Sequence, residues 1–153
     1  IPVIFNNAPV LHIPERYLAG IHVLIVNEHE ASIMVQSVVN DRSSAELASM
    51  ILCGQGYGVV VITLGAAGIV WSCGAETFFQ PAFIVNPVDT TAAGDTFCGA
   101  FAARFVAGDS LTDAMHYASA AAALSTLTMG AQTSIPSDDA IVGYLATKPL
   151  MYG

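Results

Sequence analysis

The segment Gly58 to Leu64 sets Val59, Val60, Val61 and Ile62 in succession with no polar residue between them. A strand with one wet face alternates apolar and polar side chains, whereas a strand covered on both faces reads as a continuous β-branched run. This segment is therefore expected to be an interior strand of a largely parallel sheet. Val3 to Phe5 and His22 to Val26 read as two more short buried strands, each running into an Asn that favours a turn. Ile69 to Cys73 and Thr77 to Gln80 form a hairpin around Gly74. Between and after the strands lie helical patterns. Ala31 to Val35 begins one helix. Ser43 to Leu52 forms a second, with Ser43 or Ser44 near its cap and Gly54, Gly56 and Gly58 closing it. Gly94 to Ala107, Thr112 to Leu127 and Asp138 to Leu145 form three more, in which Phe97, Phe101 and Phe105 follow core spacing and Ala114 to Leu127 reads as a tightly packed helix. The expected class is α/β: a doubly wound, mostly parallel sheet with flanking helices, whose ligands lie outside the strand C-terminal ends.

Composition narrows the function. A net charge of −8 with only four Lys and Arg among 153 residues argues against a nucleic-acid surface. The longest apolar stretch, Val59 to Trp71, is broken by Gly65 and Gly68 and is too short to span a membrane. With no signal peptide at its start, the chain is expected to be cytoplasmic. Cys53, Cys73 and Cys98 have no paired ligand spacing and are expected to be reduced, buried thiols. With 54% hydrophobic and 10% charged residues, the chain is more apolar than a free-standing domain needs, typical chains carrying about 25% charged. Part of that surface is expected to meet another polypeptide segment. The opening at Ile1 without Met fits a cleaved or truncated product, or a sequence with residues omitted.

Three segments carry candidate chemistry. In Val88-Asp89-Thr90-Thr91-Ala92-Ala93-Gly94-Asp95-Thr96-Phe97, two carboxylates bracket small residues where a helix begins. Small residues let backbone N–H groups approach an anion, and a helix N-terminus adds unpaired donors and about half a positive charge. Asp95 there is either an ordinary helix cap or a general base beside a transferring phosphoryl group. Asn27-Glu28-His29-Glu30 follows the second strand, where acidic and amide side chains cap or solvate a turn. His29 has no partner His at ligand spacing and reads as an ordinary exposed or core residue. Thr63-Leu64-Gly65-Ala66-Ala67-Gly68 reads as a tight turn into the hairpin, its glycines tolerating positive φ. Gly-Lys-Ser/Thr and Gly-x-Gly-x-x-Gly are both absent, which disfavours P-loop and dinucleotide-dehydrogenase readings. No nucleophilic role is assigned to Cys98, which sits three residues past Asp95.

Taken in order, several spaced stretches resemble the signatures of the ribokinase family of carbohydrate kinases. They are Asn6 with Pro9, Asn27-Glu28-His29-Glu30, Ile62-Thr63-Leu64-Gly65, Asn86 through Phe101, Ala118 to Ala123, and Gly130-Ala131-Gln132. The resemblance covers only the C-terminal half of such enzymes. It implies that residues 1–153 are a nucleotide-binding and catalytic part, with the N-terminal sugar-binding half and lid absent. By resemblance, Asp95 is the catalytic base. Ala92, Ala93 and Gly94 form the anion hole, while Asn27, Thr63, Gly65, Ala66, Gly68, Gly94 and Ser119 contact ATP. Glu30 orders Mg²⁺ through water, and Asp89, Thr91, Ser125, Thr128, Gly130 and Ser134 surround an activating K⁺. At the Ser119 position the nearest family members carry His, a departure that bears on nucleotide affinity. The resemblance further implies phosphorylation of a small sugar, ribose first, by an intact homodimer that this segment alone does not replace. A fructose derivative, a nucleoside or a 2-keto-3-deoxy sugar is an alternative acceptor, and a truncated nucleotide-binding or interaction module is the alternative of another class.

Overall fold

The apolar run does form an interior strand. In the computed structural model, which describes residues 1–148, β3 (Val59–Thr63) lies between β2 (Val23–Asn27) and β4 (Gly68–Cys73), with β1 (Ile4–Asn6) and β5 (Glu76–Pro81) at the two edges. β1, β2 and β3 run parallel, and the expected hairpin adds β4 and β5 antiparallel. The sheet is thus mixed, with two parallel pairings and two antiparallel ones. Val59 through Ile62 are all buried, which is why the strand carries no polar alternation.

The chain divides into two units, Ile1–Ala82 and the residues from Phe83 onward. In the first, α1 (Glu28–Val35) and α2 (Arg42–Gly54) cover one face of the sheet. Leu24, Val26, Val60, Ile62 and Val70 from that face pack with Ala31, Ala45, Ala48 and Leu52 in one core. Leu52 is fully buried, so Leu52→Ala would cost about 2–5 kcal/mol. Two helix starts differ from expectation. α1 begins at Glu28, ahead of Ala31, because Asn27 caps it. α2 is capped by Asp41, not by Ser43 or Ser44: Asp41 Oδ1 accepts from Ser44 N at 2.8 Å, and Ser44 Oγ accepts from Asp41 N at 3.1 Å. An ionised carboxylate in extended backbone outcompetes the serine hydroxyls for the orphan amides.

The second unit is helical: α3 (Ala93–Ala107), α4 (Leu111–Ser125) and α5 (Asp138–Thr147). Phe97 and Phe101 are buried and Phe105 is half-buried, with successive ring centroids 6.4 and 5.5 Å apart. α4 packs closely on α3, its small residues Ala114, Ala118 and Ala121 fully buried. Tyr117 on α4 donates to Asp138 on α5 at 2.6 Å while Arg104 of α3 lies over the Tyr117 ring, which ties three helices at one corner. The cysteines differ from expectation: Cys53 and Cys98 are half-buried and Cys73 is exposed, because Cys73 ends β4 at the hairpin turn. Among the described residues no helix is long and apolar enough to cross a membrane.

Candidate active site

Five α-helices start in the described residues, and four of them close their N-termini with a polar side chain. Asn27, Asp41, Ser110 and Ser137 each accept from an amide of the following turn. α3 is the exception. Its N-cap residue is Ala92, which has no side-chain acceptor. Ala93 N reaches Thr90 O at 3.2 Å and Thr96 N reaches Ala92 O at 2.9 Å. The amides of Gly94 and Asp95, between them, make no hydrogen bond to the described residues. Exposed donors at the positive end of a fifteen-residue helix are the kind of group that suits an anion. Asp95 is the third helical residue, exposed, and its carboxylate accepts no hydrogen bond from the described residues. The capping role open to it in the sequence is therefore not the one it takes here. The arrangement pairs donors for a charged oxygen with a carboxylate open to a proton.

The approach to α3 is fixed by Asp89. Its Oδ1 accepts from Thr91 N at 3.0 Å and Thr91 Oγ1 at 2.6 Å, and its Oδ2 accepts from Gly130 N at 3.2 Å. The Thr91 hydroxyl, then the Thr91 and Gly130 amides, hold the Asp89 carboxyl below the usual carboxylate range. The structure thus brings Asp89, Thr91 and Gly130 of the predicted cation set together. Ser125 and Ser134 are buried, their hydroxyls donating to Ala122 O at 2.8 Å and Ala131 O at 3.3 Å. Thr128 is exposed. Carboxylate, hydroxyl and carbonyl oxygens without nitrogen or sulfur are the donor set a hard cation takes, so the residues fit K⁺ in kind. Thr126 was missed by sequence reasoning, although its carbonyl accepts from Val88 N at 2.7 Å and Asp89 N at 3.0 Å. No side-chain signal marks a carbonyl.

Ser119 is half-buried on α4, and its hydroxyl is buried without a partner among the described residues. One turn earlier the His116 Nδ1 is also unpartnered, and burial pushes that imidazole below its ordinary value. Phe83 lies 5.1 Å from the His116 ring and 5.5 Å from the ring of Tyr144, whose hydroxyl is a third orphan. Buried polar atoms without partners mark places where a ligand or water completes the bonding.

In the first unit, Asn27 and Thr63 are register partners at the C-terminal ends of β2 and β3. Asn27 Oδ1 accepts from Glu30 N and Glu30 Oε2 accepts from Asn27 N, both at 2.8 Å, so the pair forms a capping box on α1. Capping uses one Glu30 oxygen and leaves Oε1 without a bond to the described residues. That single unbonded oxygen fits a role at a hydrated Mg²⁺, which keeps several waters. His29 is exposed. No group of three acidic, His or Cys residues that could hold a metal occurs among the described residues. Gly65 (φ 53°), Ala66 and Ala67 form one 3-10 turn after β3. Gly68 has a packing reason of its own: at φ 124° a Cβ would fall 2.1 Å from the Gln80 carbonyl oxygen across the hairpin.

The chain is of the α/β class, with a mixed sheet whose β2 and β3 ends carry polar residues and, in the second unit, a helix without a side-chain N-cap that carries an acid on its first turn. Residues 1–138 match the pfkB family of carbohydrate kinases, and the chain belongs to that family. It is similar to ribokinase of Haemophilus influenzae, 36% identical over 145 residues that make up 95% of this chain and 47% of that protein. It is 33% identical over 147 residues to deoxyribokinase of Salmonella typhi, covering 95% of this chain and 48% of that one. The structure of Arabidopsis thaliana ribokinase complexed with ribose and ATP superposes with a TM-score of 0.88 at 30% identity, over 95% of this chain and 47% of that one. The chain spans about half the length of the curated relatives it matches.

Proposed function

We propose that the protein carrying this chain phosphorylates the primary hydroxyl of a small sugar with ATP, D-ribose being the favoured acceptor. The observation that carries this reading is the α3 N-terminus, where unpaired amides and the open Asp95 carboxylate occur together. Family membership supports the phosphotransfer class, and the ribokinase relatives support ribose over other sugars.

In this reading Asp95 accepts the proton of the attacking hydroxyl, so that the oxygen is nucleophilic as it meets the γ-phosphorus. The amides of Gly94 and Asp95 donate to the phosphoryl oxygens and stabilise charge that grows during transfer. Little covalent work falls to the protein; positioning and electrostatics supply the rate. Asn27 contacts the phosphates with its amide, and Glu30 would hold a hydrated Mg²⁺ through Oε1. When bound, Mg²⁺ neutralises phosphate charge and K⁺ adds a fixed positive charge near Asp89. The turn Thr63 to Gly68 presents backbone to the nucleotide, and Ser119 faces the base. The intact enzyme is read as a cytoplasmic homodimer, on family resemblance alone. The sugar-selecting residues and the lid belong to the half this segment lacks, so the segment alone is expected to turn over little sugar.

The deciding experiment is ADP release by the intact protein with ribose, deoxyribose, fructose or adenosine, in KCl, NaCl or choline chloride of equal ionic strength. Ribose-dependent release, faster in KCl, is expected. Release with deoxyribose alone moves the acceptor to that sugar, in line with the Salmonella relative. ATP binding without release on any acceptor establishes the other reading, a nucleotide-binding module.

A further inference from the structure

β1 and β2 run parallel, so the loop that leaves β1 emerges at the same end of the sheet as Asn27. Asn7, the first residue of that loop, is 1% exposed, and its side chain closes on the protein. Leu11 N donates to Asn7 Oδ1 at 2.8 Å, while Asn7 Nδ2 donates to Leu11 O at 3.2 Å and to Met34 Sδ at 3.6 Å. A backbone amide can only donate, so Leu11 N fixes which end of the carboxamide is oxygen and turns the NH₂ toward Met34. Asn7 N donates in addition to Ile25 O at 3.4 Å. Ile25 stands two residues before Asn27 on β2, and Met34 stands about one turn after Glu30 on α1. One buried residue thus touches the strand on one side of the Asn27–Glu30 capping box and the helix on the other. A thioether is a weak acceptor, and packing adds to it: Met34, Ile13 of the same loop and Phe5 of β1 lie against one core. A leucine would fill a similar volume without the cost of stripping a carboxamide of water, so Asn7 is read from its bonds.

We propose that Asn7 is a positioning residue: it pins the corner between β2 and α1 from both flanks, and so sets where the Asn27 carboxamide and Glu30 Oε1 stand toward a nucleotide's phosphates. The proposal rests on the reading of Asn27 and Glu30 as phosphate and metal contacts. The capping box fixes those two residues to each other, each accepting from the other's amide at 2.8 Å. The Asn7 contacts fix the pair to the loop and to the sheet. Buried as it is, Asn7 acts only through them. Asn7→Ala removes all three side-chain bonds and leaves the backbone bond to Ile25. Met34→Leu removes only the bond to sulfur and keeps the core filled.

Amide hydrogen exchange on the intact protein, with no nucleotide added, is the primary test. The Asn27 and Glu30 amides are expected to exchange about tenfold faster in Asn7→Ala, while the α2 amides around Leu52 keep the parent's rate. Box amides that exchange as in the parent, or an acceleration that α2 shares equally, overturn the proposal. A double-mutant cycle gives a readout that a general loss of stability would not move. ATP affinity per folded molecule, by calorimetry in excess Mg²⁺, should weaken about three- to tenfold in Asn7→Ala, and by clearly less when Asn27→Ala is already present, because the residue it acts through is gone. Losses that simply add also overturn it. Should Asn7→Ala fail to fold, exchange in Met34→Leu decides: the box amides should speed up roughly twofold or more, and parent-like rates count against Asn7. The exchange arm needs no ligand, so a protein that binds no nucleotide still tests the positioning. If positioning fails while Asn27→Ala weakens ATP binding, the phosphate-contact reading stands.

Discussion

The N-termini of α1 and α3 carry the same elements, small or polar residues followed by an acid at the third helical position, and use them in opposite ways. At α1, Asn27 and Glu30 satisfy each other's backbone amides in a reciprocal box. At α3, the Ala92 side chain caps nothing and the Asp95 carboxylate accepts nothing from the described residues. A capping box is worth about 1 kcal/mol to a helix. Leaving α3 without one gives up that stability and leaves two donors and a carboxylate without partners among the described residues. The difference teaches that an acid on a first helical turn is read from its N-cap partner, not from its own position.

The largest expected effect tests whether Asp95 does chemistry. Asp95→Asn should lower kcat of the intact protein by about 10²–10⁴ while ATP binding by calorimetry changes only a few-fold. A kcat near that of the parent would remove Asp95 from the mechanism and make the two helix starts equivalent.

Gly94 sharpens the contrast from the other side. A Cβ on Gly94 meets nothing within 4 Å, so the chain itself has room for alanine. Gly94→Ala should stabilise α3 by roughly 0.5–1 kcal/mol in denaturant unfolding, because glycine is the poorer helix former. The same methyl group would occupy space that an anion needs beside the amides, so activity should drop on the order of tenfold or more. Full activity in a more stable variant would mean that no anion lies there.

Asn27 separates capping from ligand contact at α1. Asn27→Ala should cost about 1 kcal/mol of stability through the lost cap, and Asn27→Ser should restore it. A serine hydroxyl caps but does not reach as far as a carboxamide, so nucleotide affinity should stay weakened in Asn27→Ser when measured by titration with ATP. Recovery of both properties would reduce Asn27 to a cap.

The smallest effect is one of pH. Burial, then the hydrogen bond to Asp138, pushes the Tyr117 hydroxyl up to about 12, from an ordinary value of 10. A tyrosine raised in the folded state favours folding below its unfolded value, and that contribution is lost as pH rises from about 10 toward 12. Tyr117→Phe should therefore unfold with a shallower alkaline decline across that window, with activity at neutral pH unchanged. An identical pH profile for parent and variant would show that the three-helix corner does not sense this proton.

Sequence reading reached far in this chain where period and neighbours decide. The four-residue run Val59 to Ile62 could only be a covered strand, and the hairpin around Gly74 followed from its turn residue. The spaced motifs from Asn6 to Gln132 were enough to indicate the family that residues 1–138 match. Helix starts were less legible. Ser43 and Ser44 are good caps in isolation, but Asp41 holds the position, its carboxylate accepting from Ser44 N. The same limit applied at Asp95, where both capping and catalysis suited the residue type.

What the sequence determined by itself is therefore the order of elements and the presence of small residues, acids and glycines at the ends of strands and helices, because those depend on local sterics and on hydrophobic period. Only the tertiary structure decided which acids are spent on backbone and which remain open. It closed Glu30 onto Asn27, left Asp95 without a partner among the described residues, and brought Gly130, 41 residues along the chain, to the carboxylate of Asp89. Those outcomes turn on backbone amides and carbonyls, which every residue carries alike and which acquire identity only when folding aims them.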